Sequence, residues 1–416
     1  MGQLQQLRGK HCLPKRHLIA YSTKHDGLNP FRNKGLRPSF LFSTINPRIN
    51  APTFSGRSSY ELVRSVLPDS RFCVPKGLFL AAQGITSGRL WDRFRNNLMS
   101  LEGAEHNRLR RLVSQAFTPR STARLEATIF KVITSLVDPL TSVGKCDVVK
   151  DIARPYPIPV ICALLGTPVQ DWRLFSDWAD DIFKMFTFDV AGNEAVIIQA
   201  YDHLDAYIDG MVVQRRENLT DDLVSELLRA EDDGDRLTRD ELCRLVSAML
   251  MAGTDTTRHQ LAAAVQVLCD HPEQWALLAE HPELAPRAVA ELIRHTPAAF
   301  FVIRQAIEDV ELAGVVIPAG TQVSVNVAAA NRDPDIYDDP KRLDITRDDS
   351  SARLAFGLGA HHCLGAHLAR AELTQALTVM TRRMRNPRRT GPAPWKPFAP
   401  LTGPATLPIE FDIEAA

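Results

Sequence analysis

The chain has 416 residues, 45% of them hydrophobic, with 49 Lys and Arg against 49 Asp and Glu. That length can bury a large core, the charge balance gives no sign of a nucleic-acid or acidic partner, and no apolar run reaches the roughly 18–20 residues that span a bilayer. The seven cysteines, Cys12, Cys73, Cys146, Cys162, Cys243, Cys269 and Cys363, are odd in number, scattered and never form a CxxC pair, which argues against a disulfide framework or structural zinc site and for a reducing compartment.

Residues 1–50 hold nine Lys and Arg and a single acid, Asp26, and show no secretory signal. Residues 1–57 read as an atypical basic segment and 58–416 as one domain, because no linker, repeat or low-complexity tract divides them. From about Ser58 to Thr296 the pattern is mainly helical. "EHNRLRRLVSQAF" places Leu109, Leu112, Val113 and Phe117 on one face, with Arg108 and Arg111 mostly opposite. "RPYPIPVICALLG" reads as the proline-bounded start of an apolar helix.

The longest helix is expected to begin at "TRDE", where Thr238 and Glu241 form a capping box, and to run to Cys269, ahead of Pro272. At 1.5 Å per residue it spans about 46 Å. Its middle, "LVSAMLMAG", is apolar almost all round, so the helix should cross the interior. There "AGTDTT", Ala252 to Thr257, breaks the helix's own rules. A central Gly costs about 1 kcal/mol against Ala, and such conflicts tend to mark functional or strained sites. Gly253 would admit a close neighbour. A Thr hydroxyl can bond back one turn and open the helix locally. A buried Asp255 needs a partner or a proton.

In "AELIRHTP", Glu291 and Arg294 share a helix face; the spacing is common, but a buried pair would fix its surroundings. After Thr296 the chain turns to β-branched alternation in "ELAGVVIPAGTQVSVNV", with turn glycines at Gly314 and Gly320, which suits a small sheet. "GAHLARAELTQALTVMTRRM" is a further helix, and "PLTGPATLPIEF" a turn and strand. The fold class is therefore mainly α with a minor β-sheet.

"FGLGAHHCLG", Phe356 to Gly365, sets Cys363 in a loop that glycines hold open. A lone cysteine is usually an inert core residue. Here Gly357, Gly359 and Gly365 allow backbone close to a planar ligand and let N–H groups point at the sulfur, as hydrogen bonds to a metal thiolate do. The helix that follows adds the positive end of its dipole. A zinc cluster of His361, His362 and Cys363 would need further ligands nearby, and none is present.

The stretch is similar to the FGxGxHxCxG haem-binding signature of the cytochrome P450 family, "AGTDTT" to its oxygen-activation segment, and "ELIR" to its ExxR motif, in the family's order. The resemblance covers roughly Ser58 to Phe411. It implies a triangular-prism fold with a long interior helix over haem b (iron protoporphyrin IX). Cys363 would be the axial iron ligand, with Phe356 beside its sulfur and Gly365 close to the ring. Asp255 and Thr256 would form the acid–alcohol pair that supplies protons. Glu291 and Arg294 would form a structural ion pair completed by Arg342, while His106, Arg110, Arg304 and His361 would hold the haem propionates. Ala248, Ala252, Gly253, Ala299, Phe300 and Val302, with the segment "LFLAAQGI", would line an apolar substrate pocket. Arg89, Arg93 and Arg95 are loop charges, with anchoring of a substrate carboxylate as the other reading.

The implied activity is a bacterial-type, cytoplasmic haem-thiolate monooxygenase, expected as a monomer. It would insert one atom of O2 into an apolar terpenoid, steroid-like or fatty molecule. Electrons would come from a separate ferredoxin and ferredoxin reductase, with Arg108 and Arg111 helping to dock the acidic ferredoxin. A peroxide-driven oxygenase on the same fold would lack the acid–alcohol pair and carry an Arg-Pro nearby; this chain keeps the pair and reads Thr257-Arg258-His259. A haem-thiolate gas or redox sensor would need no such pair.

Overall fold

A computed structural model of the chain describes residues 60–81, 83–187, 189–232, 237–348, 352–396 and 401–413. The basic segment 1–57 lies outside them. The interior helix runs from Arg239 to Cys269, 31 residues. Its capping box forms as the sequence requires: the Thr238 hydroxyl accepts from Glu241 N at 3.2 Å, and the Glu241 carboxylate accepts from Thr238 N at 2.8 Å. Two of the helix's orphan donors are thereby satisfied. The helix stays α-helical through Ala252–Thr257, so the expected local opening does not occur. The Thr254 and Thr256 hydroxyls do bond back, to Leu250 O at 2.9 Å and Ala252 O at 2.8 Å, without breaking the ladder.

Other helices pack around this axis because their apolar faces have nowhere else to go. Helix Gly103–Ser114 buries Leu109 and Val113, and the turn after it buries Phe117. Helix Pro157–Leu165 is buried nearly throughout and lies against the interior helix. Ile161 of that helix explains Gly253. A Cβ on Gly253 would stand 2.3 Å from Ile161 Cδ1 and 2.8 Å from Cγ1, so the close neighbour that the glycine admits is another helix.

The minor sheets are antiparallel. Strand Phe301–Ala306 is central between Phe72–Cys73 and Gln322–Asn326, with Arg304 opposite Val323. A second sheet places Pro408–Asp412 between Lys145–Asp147 and Arg385–Arg389. Val310–Leu312 and Val315–Ile317 form a hairpin over Gly314, whose φ of 80° favours glycine. Helix Ala366–Arg383, which follows the cysteine loop, packs on the interior helix and on helix Ala285–His295. The architecture is mainly helical with a minor β region, as the sequence indicates.

Candidate active site

Between Leu245 and Leu268 the interior helix is buried at every position except Ala252, Gly253 and Thr256. These share one face, being spaced i, i+1 and i+4. They are the accessible surface at the centre of an otherwise buried helix. Ala248, one turn earlier and expected on that face, is fully buried in the core.

Asp255 points elsewhere. Its carboxylate lies 2.8 Å from Arg258 Nη1, which stands equally 2.8 Å from Asp180 Oδ1 on helix Trp172–Phe183. Arg154 pairs with the second oxygen of Asp180. Burial pushes the Asp180 carboxyl up, but the two guanidinium groups outweigh it and hold the group below its ordinary value. The His259 ring nitrogen Nδ1 bonds the Asp255 carbonyl at 2.7 Å. Asp255 is thus a buried acid with a shared cation, next to a threonine whose hydroxyl faces open space.

The cysteine loop is shaped by its glycines. Gly357 and Gly359 adopt φ of 69° and 74°, and a Cβ on Gly359 would stand 2.8 Å from Pro68 Cα. The turn brings Cys363 N to Phe356 O at 2.7 Å. Gly365 has an ordinary φ of −83°, and a Cβ there would meet no protein atom within 4 Å. Its N–H instead points to the Cys363 sulfur. Cys363 is exposed, although burial among neighbouring atoms pushes its thiol above the ordinary value, against the pull of the Gly365 N–H, Arg110 and Arg370. A side chain both accessible and crowded faces a recess. The Arg370 guanidinium covers the Phe356 ring at 4.4 Å.

Basic side chains gather near this loop from distant parts of the chain. Arg110 donates to the His362 carbonyl. The His106 and His361 rings stack with centroids 4.3 Å apart. Arg304 is buried on the central strand and donates to its neighbour's carbonyl, Ile303 O, at 3.1 Å; among the described residues it pairs with no carboxylate. Burial holds Arg110, Arg304, His106 and His361 below their ordinary values. Glu102, which sequence reasoning missed, lies 3.1 Å from His361 Nε2 and accepts from Val74 N at 2.6 Å. Its position immediately before a helix was the available signal. The four side chains expected to hold carboxylates, Arg110, Arg304, His106 and His361, therefore lie near the cysteine loop.

Glu291 and Arg294 form a fully buried, two-pronged pair at 2.6 and 2.7 Å. Arg294 also donates to Asn331 O, Pro340 O and Arg342 O at 3.0, 2.9 and 3.3 Å. The expectation for the Arg342 side chain needs correction. It turns outward to Asp344 at 3.3 Å, and Arg347 supplies the second guanidinium on Glu291 at 3.4 Å. Arg342 contributes its carbonyl only.

The other expected pocket residues divide. Ala299 is half-buried and bridges Leu401, Phe300 is buried 6.0 Å from the Trp395 ring, and Val302 shares the strand face of Arg304. In "LFLAAQGI", Leu80 is buried and Ile85 half-buried; Ala82 lies outside the described residues. Arg89, Arg93 and Arg95 lie on a helix, Arg89–Arg95, with internal partners: Asp202 at 2.6 Å, Asp205, and Asp92 at 3.1 Å. Arg108, expected at a docking surface, is half-buried and pairs with Glu241 at the start of the interior helix.

A cysteine with the Gly365 N–H on its sulfur, open space beside Gly365, and a buried guanidinium without a carboxylate partner fit a planar group that carries a metal and carboxylates. Among the described residues no cluster of three or more His, Cys, Asp and Glu could hold a metal ion alone, and no helix is long and apolar enough to cross a membrane.

The family model described as cytochrome P450 matches residues 86–392. The chain is 36% identical to nocardicin C N-oxygenase of Nocardia uniformis subsp. tsuyamanensis, over 85% of this chain and 88% of that protein. It is 38% identical to mycinamicin IV hydroxylase/epoxidase of Micromonospora griseorubida, over 84% of this chain and 87% of that one. Among solved structures it superposes on P450BioI in complex with hexadec-9Z-enoic acid ligated acyl carrier protein, with a TM-score of 0.78, 31% identity, and coverage of 85% of this chain and 91% of that one.

Proposed function

Because this chain belongs to the cytochrome P450 family, we propose that it is a haem-thiolate monooxygenase that inserts one atom of O2 into a bulky, mainly apolar small molecule. The observation that carries the reading is Cys363, accessible in a glycine-shaped loop with the Gly365 N–H on its sulfur. Cys363 would ligate the iron of haem b, and Arg110, Arg304, His106 and His361 would hold its propionates. When bound, the haem supplies oxygen activation and transfer, with thiolate donation favouring O–O cleavage, as is general for the family.

The chain's own residues supply protons and shape. Thr256 Oγ1 presents a hydroxyl on the accessible face of the interior helix. Asp255, one residue away and sharing Arg258 with Asp180, is assigned the relay of protons from bulk water. From Asp255 Oδ the proton passes, through water, to Thr256 Oγ1.

The acyl chain in the P450BioI complex, and the small or apolar character of Ala252, Ala299, Phe300 and Val302, support an apolar substrate. We assign electron delivery to a separate ferredoxin with its reductase, in the cytoplasm. The retained Asp255–Thr256 pair disfavours a peroxide-driven enzyme or a sensor. The test is turnover with isotopically labelled O2, ferredoxin and reductase on a compound that perturbs the haem spectrum. One labelled oxygen in the product supports the reading; product only with added peroxide, or none from a bound compound, contradicts it.

A further inference from the structure

Immediately after Thr256 and Thr257 the interior helix carries three consecutive polar residues, Arg258, His259 and Gln260, all buried. Arg258 and His259 turn to Asp180 and to the Asp255 carbonyl. Gln260 does something different. Its Nε2 donates to Thr296 O at 3.0 Å, and its Oε1 accepts from Ala298 N at 2.8 Å. These two backbone groups flank Pro297, which has no N–H of its own. The segment between helix Ala285–His295 and strand Phe301–Ala306 therefore borrows a rung from a side chain. On its other side Thr402 N donates to Ala298 O at 3.0 Å, and Ala299 bridges Leu401.

We propose that Gln260 is a positioning residue for substrate selection: its amide fixes how far the edge Ala299–Val302 stands from the Ala252–Thr256 face. The inference rests on the reading of that edge as a pocket wall. Gln260 lies one turn beyond Thr256 on the same helix, so it ties the edge to the element that carries the hydroxyl. A carboxamide offers a donor and an acceptor side by side, matching one backbone C=O and one N–H two residues apart. Glutamate keeps the shape and the acceptor but loses the donor. Methionine keeps the length and loses both. A buried backbone group left without its partner shifts until it finds another. Here that shift moves the pocket edge.

The test uses holoenzyme and spectral titration with imidazole, 1-phenylimidazole and 4-phenylimidazole, azoles that report access to the iron without knowledge of the substrate. In Gln260→Glu and Gln260→Met, imidazole should bind within about twofold of wild type, because it does not reach the edge. The ratio of the two phenylimidazole affinities should change about tenfold, the scale on which a pocket resolves a small change of shape. Should Gln260→Met not retain haem, Gln260→Glu carries the comparison, since it keeps the bond to Ala298 N. An unchanged ratio in a variant that keeps the thiolate carbon-monoxide spectrum overturns the inference. Val302→Ala and Ala299→Phe separate the two readings. If they shift the ratio while Gln260 variants do not, only the role of Gln260 falls; if neither set shifts it, the pocket wall itself is misplaced.

Discussion

Arg347 lies against Glu291, its Nε 3.4 Å from a carboxylate that is fully buried and already held by Arg294. Arg342, five residues earlier, leaves its side chain 65% exposed against Asp344. Exposed pairs of the second kind contribute about 0–1 kcal/mol. A hydrogen bond to a buried charge contributes about 1.5–3 kcal/mol. Arg347→Ala should therefore lower the denaturant midpoint of the holoenzyme clearly, and Arg342→Ala hardly at all, because the Arg342 carbonyl that accepts from Arg294 survives any substitution. Equal midpoints in the two variants would contradict the assignment.

Gly253 answers to Ile161. Alanine there gains about 1 kcal/mol of helix propensity, yet its Cβ would sit inside van der Waals contact of a fully buried side chain. Overpacking of a tight interior typically costs about 1–3 kcal/mol, so Gly253→Ala should be net destabilising. Ile161→Val, which removes Cδ1, should recover part of the loss when combined with it. A thermal melt of the double variant no better than Gly253→Ala alone would show that the glycine serves something other than helix packing.

What the sequence reveals and hides follows from the range of each interaction. The interior helix was legible at its start because its cap is a contact between Thr238 and Glu241, three residues apart, and at its end because Pro272 lies three residues beyond Cys269. The cysteine loop was legible because glycine, cysteine and helix start are adjacent. Arg347 was not, since its choice over Arg342 depends on where the irregular segment after Pro340 folds back on Glu291. Nor was the Gly253–Ile161 contact, which joins two helices, or the capture of Arg89 and Arg93 by Asp202 and Asp205, which turned apparent loop charges into helix-to-helix bridges. Asp255 was expected to need a partner, but nothing local indicated that Arg258 would divide itself between Asp255 and Asp180.

Acid should weaken the fold through His295. Burial, then the Arg332 charge, pushes its imidazole down from 6.5 to about 3. The neutral ring suits both its contacts, with Nε2 donating to Lys341 O at 3.0 Å and Nδ1 accepting from the Thr296 hydroxyl at 2.9 Å. The unfolded chain takes up the proton that the folded one refuses, so stability falls as pH drops below about 6.5 and goes on falling towards about 3. His295→Gln should lose this component, and its denaturation midpoint should fall less steeply than that of wild type over pH 6.5 to 4. Parallel curves would show that His295 titrates alike in both states.

Thr256→Val keeps the β-branched shape and removes the hydroxyl at the accessible face. Consumption of reducing equivalents should continue while product per equivalent drops and hydrogen peroxide rises. Asp255→Asn should instead slow the whole cycle, since a positioned proton donor typically contributes about 10²–10⁴-fold to the step it serves. Equal coupling in wild type and Thr256→Val would reduce Thr256 to its bond with Ala252 O.

The central claim is that Cys363 holds the haem iron through its thiolate, and the spectrum of the reduced carbon-monoxide complex tests it most directly. Wild type should show the strongly red-shifted Soret band of a thiolate adduct, and Cys363→His should bind haem and lose that band. The six other cysteines of the chain should each be replaceable without affecting it. A Cys363→His protein that kept the red-shifted band would place the iron on another sulfur and contradict the account.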